Sequence, residues 1–240
     1  MKSYKKRKYK KKIIRSRNKS NYTVRMRGGN EKGMPPKVVE VICNVSKEKE
    51  RLRTLNPILD FYNISPSYAV YGEDTKAHHL YKKFTPESTL AEISLTINHV
   101  MTLDKHKNDN KYVVVLESDA LPLYDMKTVN SMLNETVEQM KANNIDFVFV
   151  GKGHLDTVDT SSYTKITDTL FKTDGSRCTE SYIVSNNGIK KYLEFFHNNN
   201  NNVTPDLNYN RFFKENSECI VCWRVPEIFK QDKSHKSLLR

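Results

Sequence analysis

The sequence predicts an α/β domain with a mostly parallel central sheet and helices on both faces, and three observations favour this fold class. Apolar runs of strand length alternate with segments of helical periodicity along most of the chain. The most apolar run, residues 112–116, lacks the polar alternation of a half-exposed strand, so we expect both of its faces to be buried. Two acids, Glu117 and Asp119, stand where this strand should end, which is where open α/β sheets bind ligands.

The net charge of +12 on this 240-residue chain is concentrated at one end. Residues 1–33 contain 14 Lys and Arg and one acid, Glu31, so the remaining 207 residues carry a net charge of −1. Because residues 1–33 show no hydrophobic periodicity, we predict a disordered basic tail there and one domain over residues 34–240. Such a tail can contact a polyanion by salt-sensitive attraction, and an incidental solubilising tail is the alternative.

The sequence before the apolar run predicts two strands and a helix between them. Residues 37–44 are rich in β-branched side chains and predict the first strand. Ser46 is a suitable N-cap for a helix over 47–60, and a short second strand over 68–72 ends at a glycine.

A second helix is expected to begin at Thr85-Pro86, because Thr is a good N-cap and Pro suits the first helical position. Its apolar stripe consists of Leu90, Ile93, Ile97, Val100 and Met101. Glu92 and His99 lie seven residues apart and therefore share a second, polar side of this helix. That polar side favours a binding site, and a solvated flank is the alternative.

After the apolar run, elements of both types continue to alternate. The pattern predicts helices over 125–143, 187–196 and 206–214, and strands over 145–150, 181–185 and 219–224. Residues 152–176 are rich in Thr, Ser and Asp and predict a long loop, which is typical of a flexible lid over a site.

The cysteines predict neither a disulfide framework nor a zinc site. Cys219 and Cys222 form a C-x-x-C motif within a strand-like run, in which residues three apart point to opposite faces. No second C-x-x-C or His pair completes a set of four ligands, so we predict that both are core residues.

The sequence shows neither an apolar run of the ~18 residues that span a bilayer nor a signal-peptide pattern. The expected location is therefore the cytoplasm or the periphery of a membrane.

The acid pair at the end of the apolar run is suited to a divalent cation. Glu117 and Asp119 are two residues apart, so in an extended chain they project to the same side. Carboxylate oxygens are hard ligands, and Mg²⁺ or Mn²⁺ commonly takes one or two of them together with substrate phosphates. An acidic turn after a core strand is the alternative.

Seven short motifs occur in order along the domain. They are Asn44–Arg51 (NVSKEKER), Ala69–Gly72 (AVYG), Ala91–His99 (AEISLTINH), Leu116–Asp119 (LESD), Thr179–Ser185 (TESYIVS) with Gly188, Pro205–Leu207 (PDL), and Pro226 with Gln231. In this order and spacing they resemble the motifs of glycosyltransferase family 25, which contains lipooligosaccharide and procollagen galactosyltransferases. Each motif is weak alone, but seven in the correct order make coincidence a poor explanation.

The resemblance implies a GT-A type, Rossmann-like nucleotide-binding domain and a metal-dependent hexosyltransferase. The implied donor is a UDP-sugar, most often of galactose or glucose. The acceptor is a hydroxyl on a glycan, a lipid or a protein, as in lipopolysaccharide biosynthesis, and the anomeric carbon is inverted. The metal would be Mn²⁺ or Mg²⁺ held by Glu117 and Asp119, which neutralises the departing diphosphate.

The resemblance also implies roles for other residues. Inversion requires a base for the acceptor proton, and Asp206 is the candidate, although an acid at a helix N-terminus is also favoured by the helix dipole. Thr179 and Tyr182 would line the acceptor side. The candidates for the donor side are Asn44, Arg51, Gly72, Glu92 and His99, with Arg51 on a phosphate or the base and His99 on the diphosphate.

Several positions depart from the family pattern. Ser118 replaces the middle acid of L-E-D-D and Tyr71 replaces the acid of A-V-D-G, while Ser94, Asn98 and Cys178 replace small residues. These changes keep open a second reading, a catalytically inactive relative that binds a glycan or a nucleotide. A third, a metal-dependent protein associated with nucleic acid, is disfavoured because the domain without its tail is nearly neutral.

Overall fold

The computed structural model describes residues 37–43, 49–67, 69–153, 160–176, 178–200 and 202–234. They form a mixed α/β fold with a seven-stranded central sheet and a separate two-stranded ribbon. The strands are β1 (Lys37–Ile42), β2 (Tyr112–Glu117), β3 (Ala120–Pro122), β4 (Phe147–Phe149), β5 (Thr164–Lys165), β6 (Leu170–Lys172), β7 (Ser181–Val184), β8 (Val221–Arg224) and β9 (Phe229–Gln231). The helices are α1 (Lys49–Tyr62), α2 (Glu73–Ala77), α3 (Leu90–His106), α4 (Met126–Ala142), α5 (Asn186–Asn198) and α6 (Pro205–Glu215), with a 3₁₀ turn at Tyr81–Lys83.

The central sheet has the strand order β1-β2-β7-β4-β8-β6-β5. Five strands (β1, β2, β4, β5 and β8) run in one direction, and β6 and β7 run against them. The predicted α/β class is therefore confirmed, with most strands pointing the same way. Four of the six neighbouring pairs are nevertheless antiparallel, because β7 and β6 are each inserted between strands of the opposite direction.

Strand β2 is buried on both faces, as its unbroken apolar run predicts. Val113 and Val115 pack into a cluster with the apolar sides of α3, α5 and α6, whereas Val114 and Leu116 pack into a second cluster with α1 and α4. Each such side chain contributes roughly 1.5–3 kcal/mol of burial free energy, so β2 anchors the position of the acids that follow it.

The C-x-x-C cysteines lie on opposite faces of the sheet, as predicted. Cys219 belongs to the cluster on the α3 side and Cys222 to the cluster on the α1 side, and both are free thiols. Burial raises the pKa of Cys222 to about 12, which suits an inert core residue.

Helix α3 begins four residues later than the Thr85-Pro86 signal predicts. Thr89 is its N-cap, and a capping box joins Thr89 and Glu92 in both directions. The box satisfies the N–H groups of Thr89 and Glu92, which have no carbonyl partner four residues earlier when the helix begins at Leu90. Residues 85–88 form a turn in which Ser88 N–H donates to the Thr85 carbonyl.

The strand predicted over 68–72 is not formed over residues 69–72. A single parallel bridge joins Ser67 to Ile42, and beyond it the backbone bonds to side chains of α3 instead of a neighbouring strand. Asn98 Oδ1 accepts from Val70 N–H at 2.7 Å, and both Asn98 Nδ2 and Ser94 Oγ donate to the Val70 carbonyl. Two side chains of α3 thus hold this segment.

The loop predicted over 152–176 contains the antiparallel pair β5–β6, which extends the central sheet beside β8. The sequence patterns also do not predict the β3–β9 ribbon, which pairs Ala120–Pro122 with Phe229–Gln231. Residues 154–159 of the predicted lid, the tail 1–33, Asn44 and Ser46 lie outside the described residues.

Helices long and apolar enough to cross a membrane do not occur in the part of the chain that the structure describes.

Candidate functional site

Asp119 lies in the turn between β2 and β3 and is 7% exposed. Its Oδ2 accepts from Gln231 Nε2 at 3.0 Å, and its carbonyl accepts from the Asp232 N–H at 2.7 Å. Its other oxygen, Oδ1, is buried and has no hydrogen-bond partner among the described residues. A buried carboxylate oxygen without a partner is costly, so a ligand at this atom would be stabilising.

Glu117 ends β2, and its Oε1 is held by two side chains. It accepts from His99 Nε2 at 3.1 Å and from Thr179 Oγ1 at 2.6 Å. His99 Nδ1 lies 2.9 Å from the Tyr182 hydroxyl, which accepts from the Tyr209 hydroxyl at 2.9 Å. One tautomer satisfies the whole chain: Tyr209 donates to Tyr182, Tyr182 to His99, and His99 Nε2–H to Glu117.

Arg51 brings a buried positive charge from α1 to the carboxyl end of β2. Its Nη1 donates to Ser118 Oγ at 2.8 Å and lies 3.9 Å from Asp119 Oδ2. Ser118 therefore accepts a hydrogen bond from the guanidinium without adding a further negative charge.

Glu180 is a third acid of the site, which the sequence patterns do not indicate. It is 2% exposed, its Oε1 accepts from the Gly153 N–H at 2.7 Å, and its carbonyl accepts from the Glu117 N–H at 2.8 Å. A Cβ at Gly151 would lie 2.1 Å from Glu180 Oε1, so glycine is needed there for close approach. Because β7 is antiparallel to β2, its amino end brings Thr179 and Glu180 beside Glu117.

The three carboxylates differ in acidity because of their surroundings. Burial, and then the charge of Glu117, raises the pKa of Asp119 to about 6. Burial likewise raises the pKa of Glu180 to about 7, although the hydrogen bond from the Gly153 N–H acts to lower this pKa. Burial also acts to raise the pKa of Glu117, but the hydrogen bonds from His99 and Thr179 and the charge of Arg51 lower it overall. Near neutral pH the cluster therefore holds negative charge and exchangeable protons together.

The residues present fit a partly hydrated, hard divalent cation and not a metal held entirely by protein. In the described ranges no three His, Cys, Asp or Glu side chains are grouped as metal ligands. Asp119, with its unpartnered Oδ1, and Glu117 can supply one or two carboxylate ligands, which is what Mg²⁺ takes when phosphates and water complete its shell.

Of the other predicted residues, two are buried behind Glu117 and three lie at the beginning of a helix. His99 and Tyr182 are fully buried, and both ring nitrogens of His99 are used, so they position Glu117 from beneath; their direct contact with a substrate stays a prediction. Glu92 accepts from Thr89 in the capping box of α3. Gly72 has a φ of +59° at the start of α2. Asp206 lies in the first turn of α6, one turn before Tyr209.

No protein-family model and no curated protein matches the chain. Among solved structures, the chain is similar to the crystal structure of apo UDP-glucose pyrophosphorylase, at 12% identity and a TM-score of 0.39, over 82% of this chain and 73% of that one. A likeness this distant carries no conclusion about function, which we infer from the chain's own residues.

Proposed function

We propose that the chain is a glycosyltransferase of the GT-A type that moves a hexose, galactose or glucose, from a UDP-sugar to a hydroxyl acceptor on a glycan, lipid or protein. The resemblance to glycosyltransferase family 25 motivates the donor and the inverting course. The observation that carries the proposal is the buried, unpartnered Oδ1 of Asp119 at the carboxyl end of β2, beside Glu117 and the guanidinium of Arg51.

Asp119, Glu117 and the side chains that contact them supply the charges for this reaction. Asp119 and Glu117 would hold a divalent cation, Mn²⁺ or Mg²⁺, whose charge would neutralise that of the leaving diphosphate. His99 and Thr179 fix one oxygen of Glu117, which leaves the other side of that carboxylate for the ligand. Arg51 adds a fixed positive charge close to Asp119, which favours the ionised form of that carboxyl and a phosphate nearby.

Asp206 is our candidate for the base. In an inverting transfer the acceptor oxygen bonds to the anomeric carbon, the bond from that carbon to the phosphate oxygen breaks, and its electron pair leaves with the diphosphate. The acceptor proton would pass to Asp206. Helix α6 is linked to the site through Tyr209, whose hydroxyl donates to Tyr182 at 2.9 Å, and Asp206 lies one turn earlier on that helix.

Hydrolysis of the donor in the absence of an acceptor tests the proposal. Purified protein with Mn²⁺ should slowly release UDP from UDP-galactose or UDP-glucose, and Asp119→Ala should reduce the rate by about a hundredfold or more. Asp168→Ala is the matched control, because Asp168 is exposed and pairs only at the surface with Lys165. Thermal melting of both variants shows whether they are folded. Unchanged hydrolysis in folded Asp119→Ala would overturn the metal assignment.

A binding module without transfer is the second candidate function. The observation that favours it is the 3.9 Å approach of Arg51 to Asp119, which gives the carboxylate a positive partner even without a cation. UDP binding that is independent of Mn²⁺, together with no hydrolysis of any UDP-sugar, would identify this alternative.

A further inference from the structure

A basic cavity lies next to the carboxylates and has no part in the mechanism described so far. Its volume is about 250 Å³, and it lies between the β3–β9 ribbon and the segment that follows β4. Three of its lining residues are lysines: Lys152, Lys230 and Lys233. This concentration of positive charge contrasts with the near-neutral balance of the domain outside its tail.

The cavity shares its walls with the acid cluster. Gln231 lines the cavity and donates from Nε2 to Asp119 Oδ2, and the N–H of Asp232, another lining residue, donates to the Asp119 carbonyl. Gly153 also lines the cavity and donates its N–H to Glu180. A ligand in the cavity would therefore be separated from Asp119 only by the lining residues Gln231 and Asp232.

The charge of the cavity favours an anion. Among the described residues that line the cavity, three lysines stand against one acid, Asp232, whose Oδ1 accepts from the N–H and the hydroxyl of Ser234 at 2.8 and 2.6 Å. Gln231 Oε1 is buried without a hydrogen-bond partner in the described part of the chain, so the wall between cavity and acids also offers an acceptor for a hydroxyl. A ligand that carries phosphate beside hydroxyl groups matches both features.

We propose that this cavity is a phosphate-binding site, in which Lys152, Lys230 and Lys233 bind the oxyanion of a diphosphate or phosphomonoester. Under the proposed function, on which this step rests, the bound phosphate belongs either to the nucleotide donor or to a phosphorylated acceptor. The binding itself requires no transfer reaction, so it can be tested separately.

Calorimetric titration of the full chain with pyrophosphate, UDP and uridine, in buffer without divalent metal, tests the site. We expect pyrophosphate and UDP to bind and uridine to bind far more weakly. Lys230→Ala combined with Lys233→Ala should weaken pyrophosphate binding by about tenfold or more, since charge-assisted hydrogen bonds are lost. Lys230 and Lys233 are exposed, so the double variant should remain folded.

Lys165→Ala is the control for the loss of a positive charge, because Lys165 lies on β5, three strands from β4 in the sheet. Competition separates the two sources: UDP displaces pyrophosphate if the site takes the donor, and both bind at once if it takes a phosphorylated acceptor. Wild-type affinity for pyrophosphate in the double variant, or no binding by the wild type, would overturn the proposal. If the wild type binds pyrophosphate and Lys230→Ala/Lys233→Ala does not, but Asp119→Ala hydrolyses UDP-sugar at the wild-type rate, only the proposed function is refuted and the phosphate site stands.

Discussion

Replacing Arg51 by Met should raise the pKa of Asp119, because the change removes the nearest positive charge but keeps much of the side-chain volume. The guanidinium lies 3.9 Å from Asp119 Oδ2. At an effective dielectric constant of about 20 this separation corresponds to about 4 kcal/mol, which is about three pKa units. Water that enters the vacated space would screen part of this, so we expect a rise of between about one and three units from the present value of about 6.

The measurement is a carbon-detected NMR titration of the Asp119 carboxyl in the metal-free protein. Arg53→Met is the matched control, because Arg53 lies on the same helix but is exposed and pairs at the surface with Glu50. The same variants give a second measurement, since a Mn²⁺ ion that binds Asp119 as proposed must displace the proton of that carboxyl. For one proton, affinity falls about tenfold per pH unit below that pKa, so the decline should begin at higher pH in Arg51→Met. An Asp119 midpoint within a few tenths of a unit of wild type would refute the electrostatic reasoning.

Two further substitutions test the hydrogen-bonded supports of the fold. Tyr209→Phe removes the donor to the buried Tyr182 hydroxyl and should cost about 1–2 kcal/mol of unfolding free energy in a urea titration; a change near zero would contradict the bond. Glu40→Gln breaks the buried pair in which Glu40 Oε1 accepts from His106 Nε2 at 2.6 Å, at a cost of roughly 3 kcal/mol at pH 6. Burial lowers the pKa of His106, but the hydrogen bonds that His106 donates to Glu40 and Asp109 outweigh burial and raise this pKa overall, so the contribution of the His106–Glu40 ion pair is lost as pH rises through it. The difference between the thermal melts of wild type and variant should therefore narrow toward pH 9, where the contact of Lys105 Nζ with Glu40 Oε1 remains. A gap that does not narrow would contradict this.

The sequence was sufficient to place the acid pair, because β2 carries a simple signal. An unbroken run of β-branched and apolar residues is needed only where both faces are covered, and the structure buries Val113 to Leu116 completely. Helix bounds were also predictable where apolar periodicity was clear: α4 and α6 agree with prediction to within a residue or two at each end.

The direction of β7 could not be predicted, and this is why Glu180 was missed. A local apolar run has the same pattern in parallel and antiparallel strands, so the alternation of strands and helices favoured a parallel one. In a parallel β7 the residues before Ser181 would lie at the far edge of the sheet. The antiparallel register instead pairs Leu116 with Ser181 and so brings Glu180 beside Glu117.

Other errors come from competition between short signals. Thr85-Pro86 and Thr89 with Glu92 are both start signals, and the second prevails because it satisfies two N–H groups through a reciprocal pair. The segment at Val70 has strand-like residues, but the side chains of Ser94 and Asn98 bond to its backbone in place of a strand. Such contacts link positions 24 and 28 residues apart, which no local pattern contains.

The raised pKa values of Asp119 and Glu180 indicate how burial of the acid cluster would favour binding of a cation. Glu117, Asp119 and Glu180 interact with one another, so they cannot all ionise cheaply, and burial raises the pKa of Asp119 to about 6 and that of Glu180 to about 7. A divalent cation would replace these protons in neutralising the carboxylates. The negative charge of a diphosphate would in turn be attracted to that cation. The lysine cavity adjoins Asp119 on the side of β9 and offers further positive charge for that phosphate. The cluster is therefore costly to ionise alone, and cation and diphosphate should each favour binding of the other.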